Sequence, residues 1–426
     1  MIKIYNLSEL TDEEILYRRD EALDVSAPVR DIIENVRKSG DRALKEYTAK
    51  FDKVELSSLR VSEEEITEAF EEAGERFIGI LERAAANIRE FHEKQVRTSF
   101  IINKENGVVM GQKVMPLEKV GIYVPGGLAA YPSTVLMTAI PAKIAGCKRI
   151  VMTTPPMKNG KVNPNILAAA KIAGVTDIYK VGGAQAVAAL ANGTETIPQV
   201  DKIVGPGNAY VAEAKRQVYG RVAIDMIAGP SEILIISDGK SNPTVVAADL
   251  LSQAEHDKMA SAVLITNSKE LAVKVQAELE KQLAVLPREE IARASIEKNG
   301  KIIVTKDITE AIRVSDRLAP EHLELCFDNP FDYLGLIHNA GSIFMGRNCP
   351  EALGDYMAGP NHTLPTSGTA RFSSPLSVDD YVKKTQYTYF TKDALSELAE
   401  DVYFFAEKEG LSAHARSAVV RLKEEV

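Results

Sequence analysis

The sequence predicts an α/β protein with two parallel-sheet units and a small helical tail. Between Val120 and about Ala228, short β-branched runs alternate with alanine-rich segments. The runs start about 20 to 28 residues apart, which is the length of one strand plus one crossover helix. A second series of such runs follows, and the last fifty residues show the apolar periodicity of amphipathic helices. This alternation implies parallel sheets that are covered by helices on both faces.

The N-terminal part of the chain is predicted to be mostly helical, from about residue 12 to residue 96. Ser62 and Glu65 have the spacing of a capping box, in which each side chain accepts a hydrogen bond from a free amide. Apolar residues recur at helical spacing directly after it. Residues 108–117 are predicted to form a short β segment instead, for which a hairpin is favoured over a helix.

Ten strands are predicted in the two α/β series, and two helices in the tail. The first series comprises residues 121–124, 149–153, 177–181, 202–205 and 222–227. The second series comprises residues 232–237, 262–266, 301–305, 323–327 and 341–345. The tail helices are predicted at about 393–408 and 411–424, where Lys and Glu residues alternate on the polar faces.

The composition is that of a globular protein with two or three domains. The 426 residues are 45% hydrophobic and 26% charged, with a net charge of 51 − 60 = −9. Nucleic acids and anionic membranes attract positive surfaces, so neither is an expected partner. Three cysteines without CxxC spacing argue against a disulfide scaffold and a cysteine-rich zinc site. Without an apolar run of about 18 residues or a signal peptide, a cytoplasmic location is expected.

Glycines follow four of the predicted strands, at Gly126-Gly127, Gly182-Gly183, Gly205-Pro206-Gly207 and Gly229-Pro230. In open α/β sheets the carboxyl ends of the strands bind ligands, and glycine there lets the backbone approach a phosphate closely. A tight turn explains any single loop, but four loops in one unit favour a ligand crevice. The GxGxxG fingerprint is absent, because Tyr210 replaces the third glycine of the nearest match. NAD binding therefore does not follow from the motif alone.

Two polar pairs could carry chemistry. Gln253 and His256 are three residues apart on a predicted helix, so they share a face and could both ligate a metal. An exposed helix surface is the alternative interpretation of this pair. Glu321 and His322 precede a predicted strand and suit general acid/base catalysis, although a turn with two exposed polar residues explains them equally well.

Four further polar residues lie towards the C-terminus. Asp355 belongs to a dense polar loop and could supply a carboxylate ligand, whereas His362 is interpreted as a structural histidine that is bonded to the backbone. Glu409 and His414 lie in the helical tail, where a solvated helix face is the simplest interpretation of the two residues alone.

Taken together, these segments resemble the histidinol dehydrogenases, the zinc- and NAD-dependent enzymes of the last step of histidine biosynthesis. The resemblance extends from about residue 20 to the end of the chain. The motifs that carry it are VGIYVPGG (120–127), GGAQAVAALANGT (182–194), VGPGNAYVAEAKRQVYG (204–220), DMIAGPSEILIISD (225–238), DLLSQAEHD (249–257), APEHLEL (319–325), NAGSIFMG (339–346), EALGDYMAGPNHTLPTSGTARFSSPLSV (351–378) and EGLSAHARS (409–417). The implied reaction oxidises L-histidinol to L-histidine through histidinal, with two successive hydride transfers to NAD.

The resemblance also implies roles for individual residues. The catalytic pair would be Glu321 and His322. The zinc ligands would be Gln253, His256, Asp355 and His414. The contacts to NAD would come from Tyr123, Gln185 and Asn208. The substrate site would comprise Ser231, Gln253, His256, His322, Asp355, Glu409 and His414.

For the architecture, the resemblance implies two Rossmann-like units, as in aldehyde dehydrogenases, and a small helical tail that is exchanged between the subunits of a homodimer. The predicted segments are an N-terminal helical arm (1–20), a first α/β domain (21–119 and 231–377), a second, NAD-binding α/β domain (120–230) and the tail (378–426). Tail exchange would bring Glu409 and His414 into the partner's active site.

Three other functions remain compatible with parts of the sequence. A related NAD-dependent dehydrogenase could act on another amino- or hydroxy-alcohol, although Glu409 and His414 suit the ammonium and imidazole groups of histidinol. A zinc hydrolase could use Glu321 to activate water, but it would not need the glycine-ended strands. A binding protein without chemistry would not explain the acid/base pair together with the metal-ligand set.

Overall fold

The structure is a computed structural model that describes residues 1–16, 24–126 and 130–423. The chain divides into two compact units. The first consists of Met1–Gln95 and Leu117–Tyr381, and the second of Val96–Pro116 and Val382–Val426. Within the described residues, no helix combines the length and the apolar character that crossing a bilayer requires.

Strands and helices are numbered along the chain. The strands are β1 (Lys3–Asn6), β2 (Phe100–Asn103), β3 (Val108–Pro116), β4 (Lys119–Tyr123), β5 (Arg149–Thr154), β6 (Asp177–Lys180), β7 (Lys202–Val204), β8 (Ala223–Ile224), β9 (Glu232–Ser237), β10 (Ser261–Thr266), β11 (Lys301–Val304), β12 (His322–Cys326), β13 (Ser342–Met345) and β14 (Val382–Phe390). The helices are α1 (Asp12–Leu16), α2 (Ser26–Phe51), α3 (Glu63–Ala73), α4 (Glu75–Glu93), α5 (Pro132–Ala145), α6 (Pro164–Ala173), α7 (Gly183–Asn192), α8 (Ala209–Val218), α9 (Pro243–Ala254), α10 (Lys269–Leu283), α11 (Glu289–Lys298), α12 (Ile308–Leu318), α13 (Glu351–Tyr356), α14 (Lys392–Lys408) and α15 (Ser412–Lys423).

Two parallel sheets form the framework of the first unit. Sheet A has the strand order β1-β11-β10-β9-β12-β13, and sheet B has the order β6-β5-β4-β7-β8. All strand pairs in both sheets are parallel. The predicted α/β class with two parallel-sheet units is therefore confirmed.

Both faces of each sheet are buried, because successive side chains of a strand point to opposite sides. In β9, Ile233 and Ile235 pack in one hydrophobic core, whereas Leu234 and Ile236 pack in another. Strand β5 divides its side chains between the two cores of sheet B in the same way. A strand buried on both faces is a continuous apolar run, which is the pattern that made these strands predictable.

The start of the chain differs from the predicted helical arm over residues 1–20. Lys3–Asn6 form β1, which adds to the edge of sheet A by pairing with β11, and Ile2 is buried beside it. Helix α1 follows, while residues 17–20 lie outside the described part of the chain. A strand of four residues is too short for its alternation to be distinguished from helical periodicity.

The N-terminal helices pack on sheet B, which differs from the predicted first domain of residues 21–119 and 231–377. Val29 and Leu44 of α2 join the core on one face of sheet B, and Ala69 and Leu81 of α3 and α4 join the core on the other face. Helical periodicity shows which face of a helix is buried, but not which sheet covers it. The predicted capping box is present, since Ser62 N donates to Glu65 Oε2 (2.9 Å) and Glu65 N to Ser62 Oγ (3.2 Å).

The second unit combines a small antiparallel sheet with the two tail helices. Its strand order is β14-β3-β2, and β14 pairs with all nine residues of β3. The predicted tail of residues 378–426 therefore gains residues 96–116 as sheet partners. Residues 108–116 form a single strand, whose hairpin partner is β2, so the predicted hairpin lies earlier in the chain. Helices α14 and α15 lie close to the predicted positions, and residue 424 is outside the described residues.

Candidate active site

The amino ends of β9 and β12 bring together the predicted acid/base pair. His322 is the first residue of β12 and lies opposite Ile233 of β9. The residues that precede them, Glu321 and Glu232, therefore lie at the same edge of sheet A. Glu321 Oε2 accepts a hydrogen bond from Glu232 N (2.8 Å), and His322 Nδ1 lies 2.9 Å from Glu232 O. Glu321 and His322 are 7% and 4% exposed. The interpretation of an exposed turn is therefore wrong.

The contact with Glu232 determines the tautomer of His322. A carbonyl oxygen can only accept, so Nδ1 must donate its proton to Glu232 O. In the neutral imidazole, Nε2 then carries the free lone pair. Burial lowers the pKa of His322 to about 4, with the charges of His362 and His256 acting in the same direction. The ring is therefore neutral at physiological pH and can accept a proton at Nε2.

Burial also raises the pKa of Glu321 well above its ordinary range, although the hydrogen bond from Glu232 N opposes this effect. The neighbouring charges of Asp355 and Glu351 add to the increase. A carboxyl group with a raised pKa is suited to take up a proton near neutral pH, which is the property of a general base.

A cluster of potential metal ligands lies next to this pair. His322, Glu351 and Asp355 each offer a ligand atom, and these atoms lie within 4.8 Å of one another. Glu351 Oε1 is 3.8 Å from His322 Nε2. Burial raises the pKa of Glu351 to about 8, with the charge of Asp355 adding to the effect and the Gln253 side chain opposing it. Gln253 and Asp355, two of the predicted zinc ligands, thus both neighbour Glu351.

Among the described residues, Glu351 Oε1 of this cluster and the neighbouring Gln253 Oε1 are buried without a hydrogen-bond partner. Unpartnered buried polar atoms are costly, because they lose their hydrogen bonds to water and gain none. A divalent cation that prefers nitrogen and oxygen ligands would satisfy both atoms. The donor set therefore fits the zinc that the family resemblance implies.

The sequence interpretation missed Glu351. The residue lies four positions before Asp355 in α13, so both carboxylates project from the same side of this short helix. Ser252 Oγ donates a hydrogen bond to Glu351 Oε2 (3.0 Å). Glu351 N donates to Glu324 Oε1 (2.7 Å). These two bonds hold the side chain and the backbone of Glu351 in place. The four-residue spacing of Glu351 and Asp355 is the sequence signal that could have identified Glu351.

Two histidines differ from their predicted settings. Helix α9 ends at Ala254, so His256 is exposed in the following turn and does not share a helix face with Gln253. His256 N still donates to Gln253 O (3.1 Å). His362 faces side chains instead of the backbone, with Nδ1 3.6 Å from Asp355 Oδ1 and Nε2 3.4 Å from Thr134 Oγ1. Burial acts to raise the pKa of Asp355, but His362 holds it below its ordinary value.

The three predicted NAD contacts lie at the carboxyl edge of sheet B. Tyr123 ends β4, and its hydroxyl accepts a hydrogen bond from Gly183 N (3.1 Å). Burial raises the pKa of this hydroxyl to about 12. Gln185 is buried in the first turn of α7. Asn208 is the N-cap of α8, where its side chain accepts from Tyr210 N and Val211 N (3.1 and 3.2 Å).

The glycines of this edge have packing roles as well. A Cβ at Gly126 or at Gly182 would collide with the ring of Pro155, and one at Gly229 would collide with Ser367. Gly127 lies outside the described residues. The tight-turn interpretation thus holds for several of these loops individually.

One chain segment connects the two edges. Asp225 Oδ2 accepts from Gly205 N (2.8 Å) at the carboxyl edge of sheet B. Further along, Gly229 N donates to Thr366 Oγ1 (2.6 Å), and the segment passes Ser231 before it reaches Glu232 beside the acid/base pair. The predicted substrate residue Ser231 therefore directly precedes the residue that holds Glu321 and His322. Glu409 and His414 belong to the second unit, where both are exposed, at the end of α14 and near the start of α15.

The buried Glu–His pair, the nitrogen and oxygen cluster and the glycine-rich sheet edge define an α/β enzyme with acid/base chemistry. Comparisons identify its family. The family model for histidinol dehydrogenase matches residues 17–422. The histidinol dehydrogenase of Clostridium acetobutylicum is 60% identical over 403 residues, which are 95% of this chain and 94% of that protein. The Listeria monocytogenes enzyme is 54% identical over 404 residues, again 95% and 94% of the two chains.

A crystal structure agrees with the sequence comparison. Histidinol dehydrogenase from Elizabethkingia anophelis superposes with a TM-score of 0.94 and 42% sequence identity, over 99% of this chain and 98% of that chain. The chain therefore belongs to the histidinol dehydrogenase family, whose members oxidise histidinol to histidine in histidine biosynthesis.

Proposed function

We propose that this chain oxidises L-histidinol to L-histidine through histidinal, in two successive NAD-dependent steps at one zinc-containing site. The observation that carries the proposal is the buried pair of Glu321 and His322, whose functional atoms lie beside a cluster of unpartnered ligand oxygens. When bound, zinc would orient the imidazole and amine of histidinol, and NAD would accept the hydrides.

In the first oxidation, His322 is the base. Its Nδ1 donates a hydrogen bond to Glu232 O, so Nε2 is free to accept the proton of the substrate hydroxyl. The hydride leaves the carbon that bears this hydroxyl. The product is histidinal, which must stay bound because the aldehyde is reactive. The burial of His322 supports this role, since bulk solvent is kept away from the bound aldehyde.

In the second oxidation, Glu321 activates a water molecule. The carboxylate takes one water proton as the oxygen attacks the aldehyde carbon, which forms the hydrate. His322, after releasing its first proton to solvent, accepts a hydroxyl proton of the hydrate as the second hydride passes to a second NAD, and the carboxylic acid of histidine results. Glu321 Oε2 lies 3.5 Å from His322 Nδ1. This proximity supports the proposal that both residues act on the same substrate carbon.

We assign the zinc to Gln253, His256, Asp355 and His414, with Ser231, His322 and Glu409 completing the substrate site. The unpartnered Gln253 Oε1 and the proximity of Asp355 to His322 support the part of this set that lies in the first unit. Tyr123, Gln185 and Asn208 are proposed to bind NAD, and their common position at one sheet edge supports that assignment.

We further propose a cytoplasmic homodimer in which Glu409 and His414 enter the partner's site. The second unit exposes large apolar side chains at its surface, among them Ile101, Tyr389 and Phe405, which are 58%, 59% and 68% exposed. Soluble proteins seldom leave such surfaces uncovered, and a second copy of the chain would cover them.

The direct test is a reaction of the purified chain with L-histidinol and NAD, followed by NADH absorbance, with and without a chelator. We expect two NADH for each histidine formed, loss of activity after chelation and its return with zinc. Other amino-alcohols should give much lower kcat/KM values than histidinol. Absence of NADH with histidinol, or a better substrate among the other alcohols, would refute the proposal.

A further inference from the structure

A buried ion pair lies behind the carboxyl end of β7. Lys215 and Asp225 are in contact, and their side chains are 2% and 1% exposed. Placing two charges in the interior costs free energy that their mutual attraction offsets only with good geometry and further hydrogen bonds. A buried ion pair is therefore poor evidence for a role in stability alone, and the partners of these two side chains indicate a different role.

Both charged side chains bind the peptide groups of a single residue, Gly205. Lys215 Nζ donates to Gly205 O (3.0 Å), and Gly205 N donates to Asp225 Oδ2 (2.8 Å). Asp225 Oδ1 also accepts from Met226 N (2.6 Å). Charge-assisted hydrogen bonds are about twice as strong as neutral ones, so the backbone of Gly205 is held firmly on both sides.

The conformation of Gly205 explains why it needs to be held. Its φ angle is +114°, and a Cβ at this position would collide with the carbonyl oxygen of Tyr123. Only glycine permits this conformation and this close approach of two backbones. The two bonds from Lys215 and Asp225 thereby fix the end of β7 against the end of β4.

The segment that is fixed in this way leads directly into Asn208, the N-cap of α8. Lys215 lies on the same helix, so α8 is tied back to the strand from which its own N-terminus emerges. The start of α8 therefore has one defined position relative to Tyr123, at the edge where we have placed the dinucleotide.

We propose that Lys215 and Asp225 are positioning residues for the dinucleotide, acting through Gly205 on the loop that ends at Asn208. The inference depends on the proposed function, because it requires NAD at this edge. Neither residue reaches the reacting atoms. Their effect should therefore be on the affinity for NAD, with little effect on the binding of histidinol.

The test compares the single variant K215M and the double variant K215M/D225L with the control K202M. The double variant removes both charges and so avoids an unpaired buried carboxylate. Lys202 opens the same strand, and its ion pair with Asp380 (2.7 Å) lies at the opposite end. K202M therefore removes a lysine ion pair from β7 without changing the Gly205 loop.

Isothermal titration calorimetry with NAD and with histidinol, on zinc-loaded protein, gives the main measurement. We expect the Kd for NAD to rise roughly 10- to 100-fold in both Lys215 variants, the range seen when a residue that orients a metal ligand is lost. The Kd for histidinol should stay within about twofold, and K202M should bind NAD like the wild type. The KM for NAD should increase in parallel with its Kd.

Two outcomes would overturn the inference. One is an unchanged NAD affinity in the folded double variant, judged folded by circular dichroism and by wild-type affinity for histidinol. The other is an equal loss in K202M, which would indicate general damage to sheet B. If K215M/D225L does not fold, the comparison of K215M with K202M decides in the same way. A wild-type chain that binds no NAD would refute the proposed function and, with it, this inference.

Discussion

Glu351 buries a carboxylate whose Oε1 has no partner and lies 3.8 Å from His322 Nε2. We infer that its carboxyl oxygens support the metal site next to Gln253 and Asp355, because partners of metal ligands orient them and tune their affinity. This residue therefore provides the most specific prediction at the scale of single side chains.

Replacing Glu351 with Gln keeps the size of the side chain and exchanges one carboxyl oxygen for an amide nitrogen, which cannot accept a hydrogen bond or contact a cation. We expect the zinc affinity to fall roughly 10- to 100-fold while the fold is retained. Zinc per chain, measured by elemental analysis after dialysis against a graded chelator series, checks this expectation. Glu270→Gln is the matched control, because Glu270 is exposed in the first turn of α10, pairs with Lys274 and is none of the residues assigned to the metal site. Equal zinc retention in the two variants would remove Glu351 from the metal site.

At the scale of elements, β12 carries a second buried acid whose charge matters for stability. Glu324 is fully buried, and burial and the charge of Asp249 raise its pKa to about 9. Burial raises the pKa of Asp249 to about 6. The native state therefore holds a proton that the unfolded chain releases near pH 4.3. This contribution to stability is complete below that pH and is lost as the pH rises through the native pKa.

The pH dependence of unfolding tests this sign. Between pH 6 and pH 9, the unfolding free energy of metal-free wild type should fall relative to that of Glu324→Gln, by up to about 1.4 kcal/mol for each pH unit. Glutamine cannot ionise, so the variant should show the flatter profile. Urea titrations at several pH values supply the measurement, and parallel profiles for the two proteins would contradict the assignment of a retained proton to Glu324.

Apart from β1, the strands of both parallel sheets were predictable, because parallel strands buried on two faces are continuous β-branched runs. Strand β9 has the predicted bounds, residues 232–237. The strand predicted over residues 222–227 is shorter in the structure, where β8 comprises Ala223–Ile224. β8 is an edge strand, and the strand ends before Asp225, whose side chain accepts a hydrogen bond from Gly205 N. Strand β1 escaped prediction because four residues carry too little periodicity.

Partnership between elements was less predictable than the elements themselves. The apolar faces of α2, α3 and α4 were evident, but their position on sheet B depends on contacts between residues distant in sequence. The dependence on contacts between distant residues also limited the prediction of the active site. Glu321 and His322 were recognised as a pair, whereas their bonds to Glu232 and the nearby Glu351 depend on the register of β9 with β12 and on α13.

At the scale of the whole molecule, the proposed exchange of tails makes a prediction about mixed dimers. Chains with His414→Asn or with His322→Asn should each be nearly inactive. In a mixed dimer with exchanged tails, one site combines an intact His322 with an intact His414 from the other chain. The second site carries both substitutions. Random mixing makes half of the dimers mixed, so activity should recover to about a quarter of wild type. Co-refolding of differently tagged chains provides the assay, and mixed dimers without recovered activity would rule out a shared site.

The central claim is that Glu321 and His322 divide the work of the two oxidations. Single-turnover NADH formation, started from histidinol and separately from histidinal, tests it most directly. Glu321→Gln should slow the histidinal reaction by roughly 10²- to 10⁴-fold and the first step much less, whereas His322→Asn should slow both. Equal slowing of both steps by Glu321→Gln, or a first step that survives His322→Asn, would contradict the account.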